Sequence, residues 1–304
     1  MKRTFHLCLS SDSEVLFRDD KDYIRGFNCF ALALYKTGST GLAEAFMSTH
    51  CHFVVQTSDP TAFMHAFRMP YSKYFNRKYG RSGRLGELHH FELEIKGLYH
   101  HLAAISYVLR NPLHHGVSPI PYAYAHSSAN IIFQKEMGKN ISHDLIPRNS
   151  YYRHIGRRVK CPENYVMDKS GIFLRESVLD TVQVENMFVT PRNFNYYMGR
   201  RTNEDWIEEQ QKDQNSLKAV SIDDIESGVR LHSVEQMLRL ESGRTDYRKY
   251  TDEQVCKEID MVLCPRFGKS SVYALTAREK LIIADNLRNR WHLGREQLNR
   301  CLII

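Results

Sequence analysis

Short strand-type patterns alternate with helical patterns over the first 110 residues of the chain. Residues Thr4 to Leu9 alternate in β-forming side chains, and Asp19 to Thr37 carries apolar residues at helical spacing. Two further strands are predicted at Leu42 to Met47 and at His50 to Thr57, separated by a bend. This order favours an α+β domain whose strands are joined by antiparallel links.

The pattern continues with a helix that opens at Asp59-Pro60 and that Pro70 is predicted to interrupt. A fourth short strand is expected over His90 to Ile95. A helix is then expected over Leu98 to Arg110, where Asn111-Pro112 should stop it.

The rest of the chain has a different character. A proline-containing, loop-rich stretch precedes charged and helical segments, among which Trp206 to Leu217, Ser233 to Ser242 and Thr251 to Leu263 are predicted helices. The last two helices, Lys280 to Arg290 and Arg295 to Leu302, flank a short turn that contains glycine. We therefore expect a domain over residues 1–130, an extension or connector over 131–218, and a helical C-terminal domain over 219–304.

Composition limits the classes of function. The 304 residues carry a net charge of +7, which favours nucleic acid or another polyanion as a partner. The seven cysteines are scattered without a CxxC pair, so reduced thiols are expected rather than disulfides or a cysteine-rich zinc module. The sequence contains neither a membrane-length apolar run nor a signal-peptide pattern, and a cytoplasmic location without membrane contact is expected.

Histidines are concentrated near the N-terminus, where 12 of the 15 precede residue 150. On the strand Thr49-His-Cys-His-Phe-Val-Val-Gln56, side chains two residues apart share a face, so His50 and His52 project together. Two such imidazoles can bind one divalent cation. The alternative interpretation is two exposed histidines on a half-buried strand.

A second candidate pair lies on the predicted helix after residue 98. Tyr107 precedes Asn111 by four residues, which places both side chains on one helix face. A phenolic oxygen and a metal-binding amide oxygen can then meet at one centre. The alternative is that Tyr107 is a core aromatic and Asn111 a helix cap.

These segments together resemble a known family. The strand Phe46-Met-Ser-Thr-His-Cys-His-Phe-Val-Val-Gln56, followed by Tyr107-Val-Leu-Arg-Asn-Pro-Leu-His-His-Gly116, is similar to the single-tyrosine HUH transposases. Within that group the chain most resembles the REP-associated tyrosine transposases and the insertion-sequence-200-like family. The resemblance covers roughly residues 1–130 and implies a ferredoxin-like antiparallel sheet with helices.

The resemblance also implies roles for individual residues. His50 and His52 match the family's metal-binding histidines, Tyr107 its nucleophile, and Asn111 the third metal ligand, for which His114 and His115 are competing candidates. The implied activity is that of a transposase, which cleaves and rejoins single-stranded DNA through a 5′-phosphotyrosine with Mg²⁺ or Mn²⁺ as cofactor. The target, a hairpin or palindromic repeat, and a homodimeric state stay open, and the implied location is the nucleoid.

Two surfaces are predicted to contact DNA. The first interleaves cations with aromatic residues, and its cations are Arg68, Lys73, Arg77, Lys78, Arg81 and Arg84. An amphipathic helix with core aromatics and solvated charges is the alternative for this segment.

The second predicted DNA-contacting surface is the C-terminal helix pair. This pair resembles a helix-turn-helix with a groove-facing set of Arg295, Gln297, Asn299 and Arg300. A small structural or dimerisation bundle is the alternative there.

Two other classes of function compete with the transposase. One is a non-catalytic DNA-binding regulator, in which the C-terminal helices act and the first domain is a relic. The other is a metal-dependent phosphodiesterase that uses water as the nucleophile, for which Tyr107 would be dispensable.

Overall fold

The computed structural model describes residues 1–139, 142–199 and 250–304. The helices predicted at Trp206 to Leu217 and Ser233 to Ser242 lie outside these residues. The N-terminal elements follow in the order β1 (Arg3–Ser10), α1 (Asp20–Thr37), β2 (Thr40–Phe46), β3 (His50–Thr57), α2 (Pro60–Tyr79), β4 (Phe91–Ile95) and α3 (Leu98–His114).

The four strands form one antiparallel sheet in the order β2-β3-β1-β4. This order, with α1 between β1 and β2 and α2 between β3 and β4, is the ferredoxin-like arrangement that the family resemblance implied. Both helices cover one face of the sheet, where Phe53 of β3 packs on Phe30 of α1 and Phe67 of α2. Helix α3 covers the other face.

Capping residues explain where α1 and α2 begin and end. The Asp19 and Asp59 carboxylates accept hydrogen bonds from the backbone amides of Asp22 and Ala62. Gly38 and Gly80 then end the helices in the left-handed conformation, with φ of 61° and 64°.

The prolines do not break the helices in the way the sequence predicted. Pro70 lies inside α2, where aromatic side chains at four-residue spacing are buried on both sides of it: Phe63, Phe67, Tyr71, Phe75 and Tyr79. Their burial at about 1.5–3 kcal/mol each outweighs the cost of an internal proline, about 3 kcal/mol. Helix α3 likewise continues through Pro112 to His114, so Asn111 is a helical residue and not a cap.

The residues that follow α3 pack onto the sheet domain. Single backbone bridges join Ser127 to Ala45 and Leu179 to Gly41, so this part of the chain lies along the outer edge of β2. Its helical segments are short: Pro121–Ala123, Arg148–Ser150, α4 (Tyr152–Ile155), α5 (Arg175–Val178), α6 (Thr181–Phe188) and α7 (Pro191–Gly199). None of the described helices is long and apolar enough to cross a membrane.

The C-terminal helices form a second hydrophobic core, which includes Val15 of the N-terminal domain. They are α8 (Asp252–Glu258), a π-helical turn (Ile259–Leu263), α9 (Cys264–Arg266), a 3₁₀ turn (Val272–Ala274), α10 (Ala277–Trp291) and α11 (Arg295–Leu302). The buried Arg18 side chain fixes them to the first domain by donating to Asp260 at 2.7 Å and to the Cys301 carbonyl at 3.0 Å. The domain boundaries at residues 131 and 219 stay predictions.

The structure corrects the predicted DNA-contacting set on α11. Arg300 donates two hydrogen bonds to the Asp252 carboxylate, at 2.6 and 2.9 Å, and Gln297 donates to the same carboxylate at 3.0 Å. Both side chains are buried, so they join α11 to α8 and do not face a DNA groove. Arg295 is exposed and Asn299 is half-buried, which leaves these two as the predicted contacts on α11.

The Arg300–Asp252 pair provides a stability prediction. We expect Arg300→Ala to destabilise the C-terminal helices by about 3–5 kcal/mol, because it leaves the buried Asp252 carboxylate without its cation. Denaturant unfolding followed by circular dichroism measures this loss. Arg288→Ala is the matched control, since Arg288 pairs with Asp285 at the surface and should contribute about 0.5 kcal/mol or less. Equal effects of the two substitutions would contradict the prediction.

Candidate functional site

Strand β3 places His50 and His52 on the face of the sheet that α3 covers. They lie opposite Ser10 and Cys8 of β1 in the antiparallel register, while Cys51 and Phe53 face the other side. The two histidines are 2 % and 0 % exposed. This burial excludes the alternative of two exposed histidines on a half-buried strand.

Helix α3 brings Tyr107 and Asn111 onto these histidines. His50 Nε2 lies at hydrogen-bond distance from Asn111 Oδ1, 2.9 Å, and the Tyr107 ring centre lies 5.6 Å from that of His52. Tyr107 and Asn111 are both buried. All four side chains that the sequence singled out therefore meet in one cluster, which we call the histidine cluster.

The structure adds His6 to this cluster. Its Nε2 lies 2.9 Å from His52 Nδ1, and its ring centre is 6.0 Å from that of Tyr107. The sequence motifs did not single out His6. The alternation on β1 could have indicated it, because His6 shares a face with Cys8, the residue opposite His52.

The two competing third ligands are also close. The His115 ring centre lies 4.7 Å from that of His50, and the His114 ring centre lies 6.2 Å from that of Tyr107. Asn111 is in direct hydrogen-bond contact with His50. The geometry keeps all three residues within the histidine cluster.

The electrostatic environment keeps His52 and His6 neutral. Burial, followed by the charges of His6 and His50, lowers the pKa of His52 well below its ordinary value. Burial, with a smaller effect of His100, lowers the pKa of His6 to about 3. A neutral imidazole has a lone pair for a metal ion, and His52 Nε2 is buried without a hydrogen-bond partner.

Neighbouring groups can set the tautomers that metal binding needs. The Thr49 hydroxyl lies 3.1 Å from His50 Nδ1 and can either donate to it or accept from it. If His52 Nδ1 donates to His6 Nε2, the lone pair of His52 is on Nε2. Both histidines thus have an outer partner of the kind that orients metal-ligating imidazoles.

A different group of side chains also has metal-compatible spacing. Donor atoms of Asp20, His126 and Glu253 lie within 4.8 Å of one another. However, Lys257 Nζ lies 2.7 Å from both carboxylates and already compensates part of their charge. These residues form an ion-paired contact between α1 and α8.

The predicted basic segment divides into structural and exposed cations. Arg68 donates to backbone carbonyls from Leu85 to Leu88, Lys78 pairs with Asp19 and Asp22, and Arg81 pairs with Glu14. Lys73, Arg77 and Arg84 are exposed. Tyr71, Phe75 and Tyr79 are buried, so these aromatics belong to the core, as the alternative interpretation of this segment stated.

Comparison with known proteins gives a distant likeness to a solved structure. No family model matches the chain, and no curated protein matches it. A solved structure described as "Structure of the REP associates tyrosine transposase bound to a REP hairpin" is similar over 45 % of this chain and 82 % of that chain. The identity is 11 % and the TM-score is 0.40, a likeness too distant to indicate an activity or site residues for this chain.

Proposed function

We propose that this protein is a metal-dependent enzyme that cleaves and rejoins single-stranded DNA, with Tyr107 as the nucleophile. The observation that carries the proposal is the meeting of Tyr107 and Asn111, one helical turn apart on α3, with His50 and His52 on β3. A tyrosine, an amide oxygen and two imidazoles in one buried cluster suit nucleophilic attack at a phosphodiester that a bound cation would polarise.

The donor set fits a divalent cation. His50 Nε2 and Asn111 Oδ1 are 2.9 Å apart, close to the separation of about 3.0 Å between adjacent oxygen or nitrogen ligands of an octahedral ion. His52 Nε2 is the third donor of the proposed site, and its lack of a hydrogen-bond partner is consistent with that role. Mixed imidazole and amide donors suit Mn²⁺, with Mg²⁺ as the alternative.

The charge of this donor set favours an anionic substrate. None of the proposed ligands His50, His52 and Asn111 is an acidic side chain, so these ligands supply no negative charge to balance a dication in this buried place. A phosphodiester would supply that charge. A bound cation would stabilise the developing charge on the phosphoryl oxygens and on the departing oxygen.

The proposed reaction conserves the energy of the cleaved phosphodiester bond in a covalent bond to the protein. The Tyr107 phenolic oxygen attacks phosphorus, the bond from phosphorus to the 3′ oxygen breaks, and the 3′ oxygen takes up a proton as the phenol loses one. The products are a 5′-phosphotyrosine and a strand with a free 3′-hydroxyl, and attack by a 3′-hydroxyl on the phosphotyrosine rejoins DNA. This chemistry is that of a transposase that acts on chromosomal DNA.

The test measures the covalent transfer of labelled DNA to the protein. The purified protein is incubated with Mn²⁺ and a pool of random single-stranded oligonucleotides, labelled at either the 3′ or the 5′ end. A 5′-phosphotyrosine predicts an SDS-resistant labelled protein from the 3′-labelled pool alone and shortened free strands from the 5′-labelled pool, both abolished by EDTA. Cleavage without any adduct would instead favour a phosphodiesterase that uses water, and DNA retention without cleavage would favour a binding regulator.

His6 provides a prediction for the proposed metal site. We expect His6→Ala to weaken Mn²⁺ binding by about 10–100-fold, because His52 loses the hydrogen bond that orients its ring. Titration of Mn²⁺ followed by its paramagnetic resonance measures the change. His6→Gln, which restores a hydrogen-bonding side chain, should recover part of the affinity, and unchanged affinity in His6→Ala would remove His6 from the site.

A further inference from the structure

A groove crosses the outer surface of α1 and α2, on the side of the sheet opposite to the histidine cluster. Its centre is a cavity of about 520 Å³ between α1, α2 and residues 155–160. The cavity shares His65 and Met69 with a neighbour of about 370 Å³, and it shares Tyr35 and Lys160 with another of about 440 Å³. The three cavities therefore form one continuous surface, which we call the basic groove.

The charged residues of the basic groove are almost all positive. The central cavity is lined by five cations from α1, α2 and the extension: Arg25, Lys36, Lys73, Arg158 and Lys160. Among the described residues that line the three cavities, Glu163 is the single carboxylate. Within the described parts of the chain, no ion pair is made by Lys36, Lys73, Arg158 or Lys160. The groove thus offers several uncompensated positive charges to a polyanion.

Arg25 contributes a donor that the fold leaves unused. Its Nη1 donates to the His154 carbonyl at 2.7 Å, which holds the extension against α1. Its Nε is buried and has no hydrogen-bond partner. A phosphate oxygen bound in the groove would be an acceptor for this N–H group.

The walls of the groove are apolar and aromatic as well as basic. Leu32, Met69 and Ile155 line the central cavity. Tyr35 and Tyr152 are 46 % and 41 % exposed, so both rings are accessible to a ligand in the groove. Cations that follow a backbone, combined with aromatic platforms, are the features by which proteins bind unpaired nucleotides.

We propose that the basic groove binds single-stranded DNA that flanks the cleavage position, with bases stacked on Tyr35. One end of the groove is at His90, next in the chain to Phe91, whose ring centre lies 5.5 Å from that of His6. A strand leaving the histidine cluster can therefore pass the β4 edge of the sheet and continue along the groove. This inference rests on the proposed function for the identity of the strand, whereas the binding itself does not require cleavage.

The test measures binding without chemistry. Fluorescence anisotropy of a labelled oligothymidine is recorded in EDTA at several salt concentrations for the wild type, Lys36→Glu, Arg158→Glu and Tyr35→Ala. Each charge reversal should weaken binding and lower the slope of log affinity against log salt by about 0.7 for each phosphate that the protein no longer neutralises. Tyr35→Ala should weaken binding by about fivefold or more without changing this slope. Arg266→Glu, an exposed arginine outside the groove lining, is the matched control.

The outcomes separate this inference from the proposed function. If all three groove variants bind DNA with wild-type affinity, the proposal that the groove binds DNA is wrong, whether or not DNA is cleaved. Groove-dependent binding supports it even if Tyr107 forms no adduct. Two further results would also contradict it. One is duplex DNA that binds as tightly as the oligothymidine and is weakened by the same groove substitutions. The other is binding of anionic phospholipid vesicles where the oligothymidine does not bind.

Discussion

Replacing Tyr107 with phenylalanine is expected to abolish the covalent DNA adduct and to lower strand cleavage by about 10³-fold or more. The substitution removes one oxygen atom and keeps the ring that packs against His52 and His6. The fold should therefore persist. Denaturing gels with 3′-labelled single strands measure the adduct, and circular dichroism checks the fold.

Tyr71→Phe is the matched control for this experiment. Tyr71 is also a buried tyrosine, and its hydroxyl donates to the Leu16 carbonyl at 2.6 Å on the opposite side of the sheet. Its loss should cost about 1 kcal/mol of stability and leave adduct formation unchanged. Full cleavage by Tyr107→Phe would exclude this residue as the nucleophile and favour water in its place.

Much of the N-terminal fold could be predicted from the sequence because its signals are local. The predicted strand at His50 to Thr57 agrees with β3, and the predicted helix from Asp19 begins one residue later in α1. Alternation on β3 placed His50 and His52 on one face, and the four-residue spacing placed Asn111 on the Tyr107 face. Periodicity and capping determine these features without tertiary information.

The features that the sequence did not predict depend on tertiary packing. Proline rules placed breaks at Pro70 and Pro112, but buried aromatics hold α2 together and α3 continues beyond Asn111. Gln297 and Arg300 have polar side chains typical of a DNA-reading helix, yet Asp252 from a distant segment binds both of them. His6 joins the histidine cluster through strand pairing between distant segments.

Removing the side chain of His52 should eliminate metal binding at the proposed site. His52→Ala deletes the Nε2 donor and the partner of His6, so we expect it to weaken Mn²⁺ binding beyond the roughly 10–100-fold effect expected for His6→Ala. A thermal-unfolding series with increasing Mn²⁺ provides a readout that does not depend on activity. At about 100 times the dissociation constant, Mn²⁺ should stabilise the wild type by about 2.7 kcal/mol, and His52→Ala should show no such gain at the same concentration.

The control for His52→Ala is His89→Ala, which removes an exposed histidine outside the histidine cluster. It should keep the Mn²⁺-dependent stabilisation of the wild type. If His52→Ala retained this stabilisation while His89→Ala lost it, the cation would bind elsewhere on the surface. If His52→Ala alone lost both the stabilisation and the DNA cleavage, the metal would be linked to the chemistry. The reason is that the His52 ring contacts both the ligand His50 and the nucleophile Tyr107.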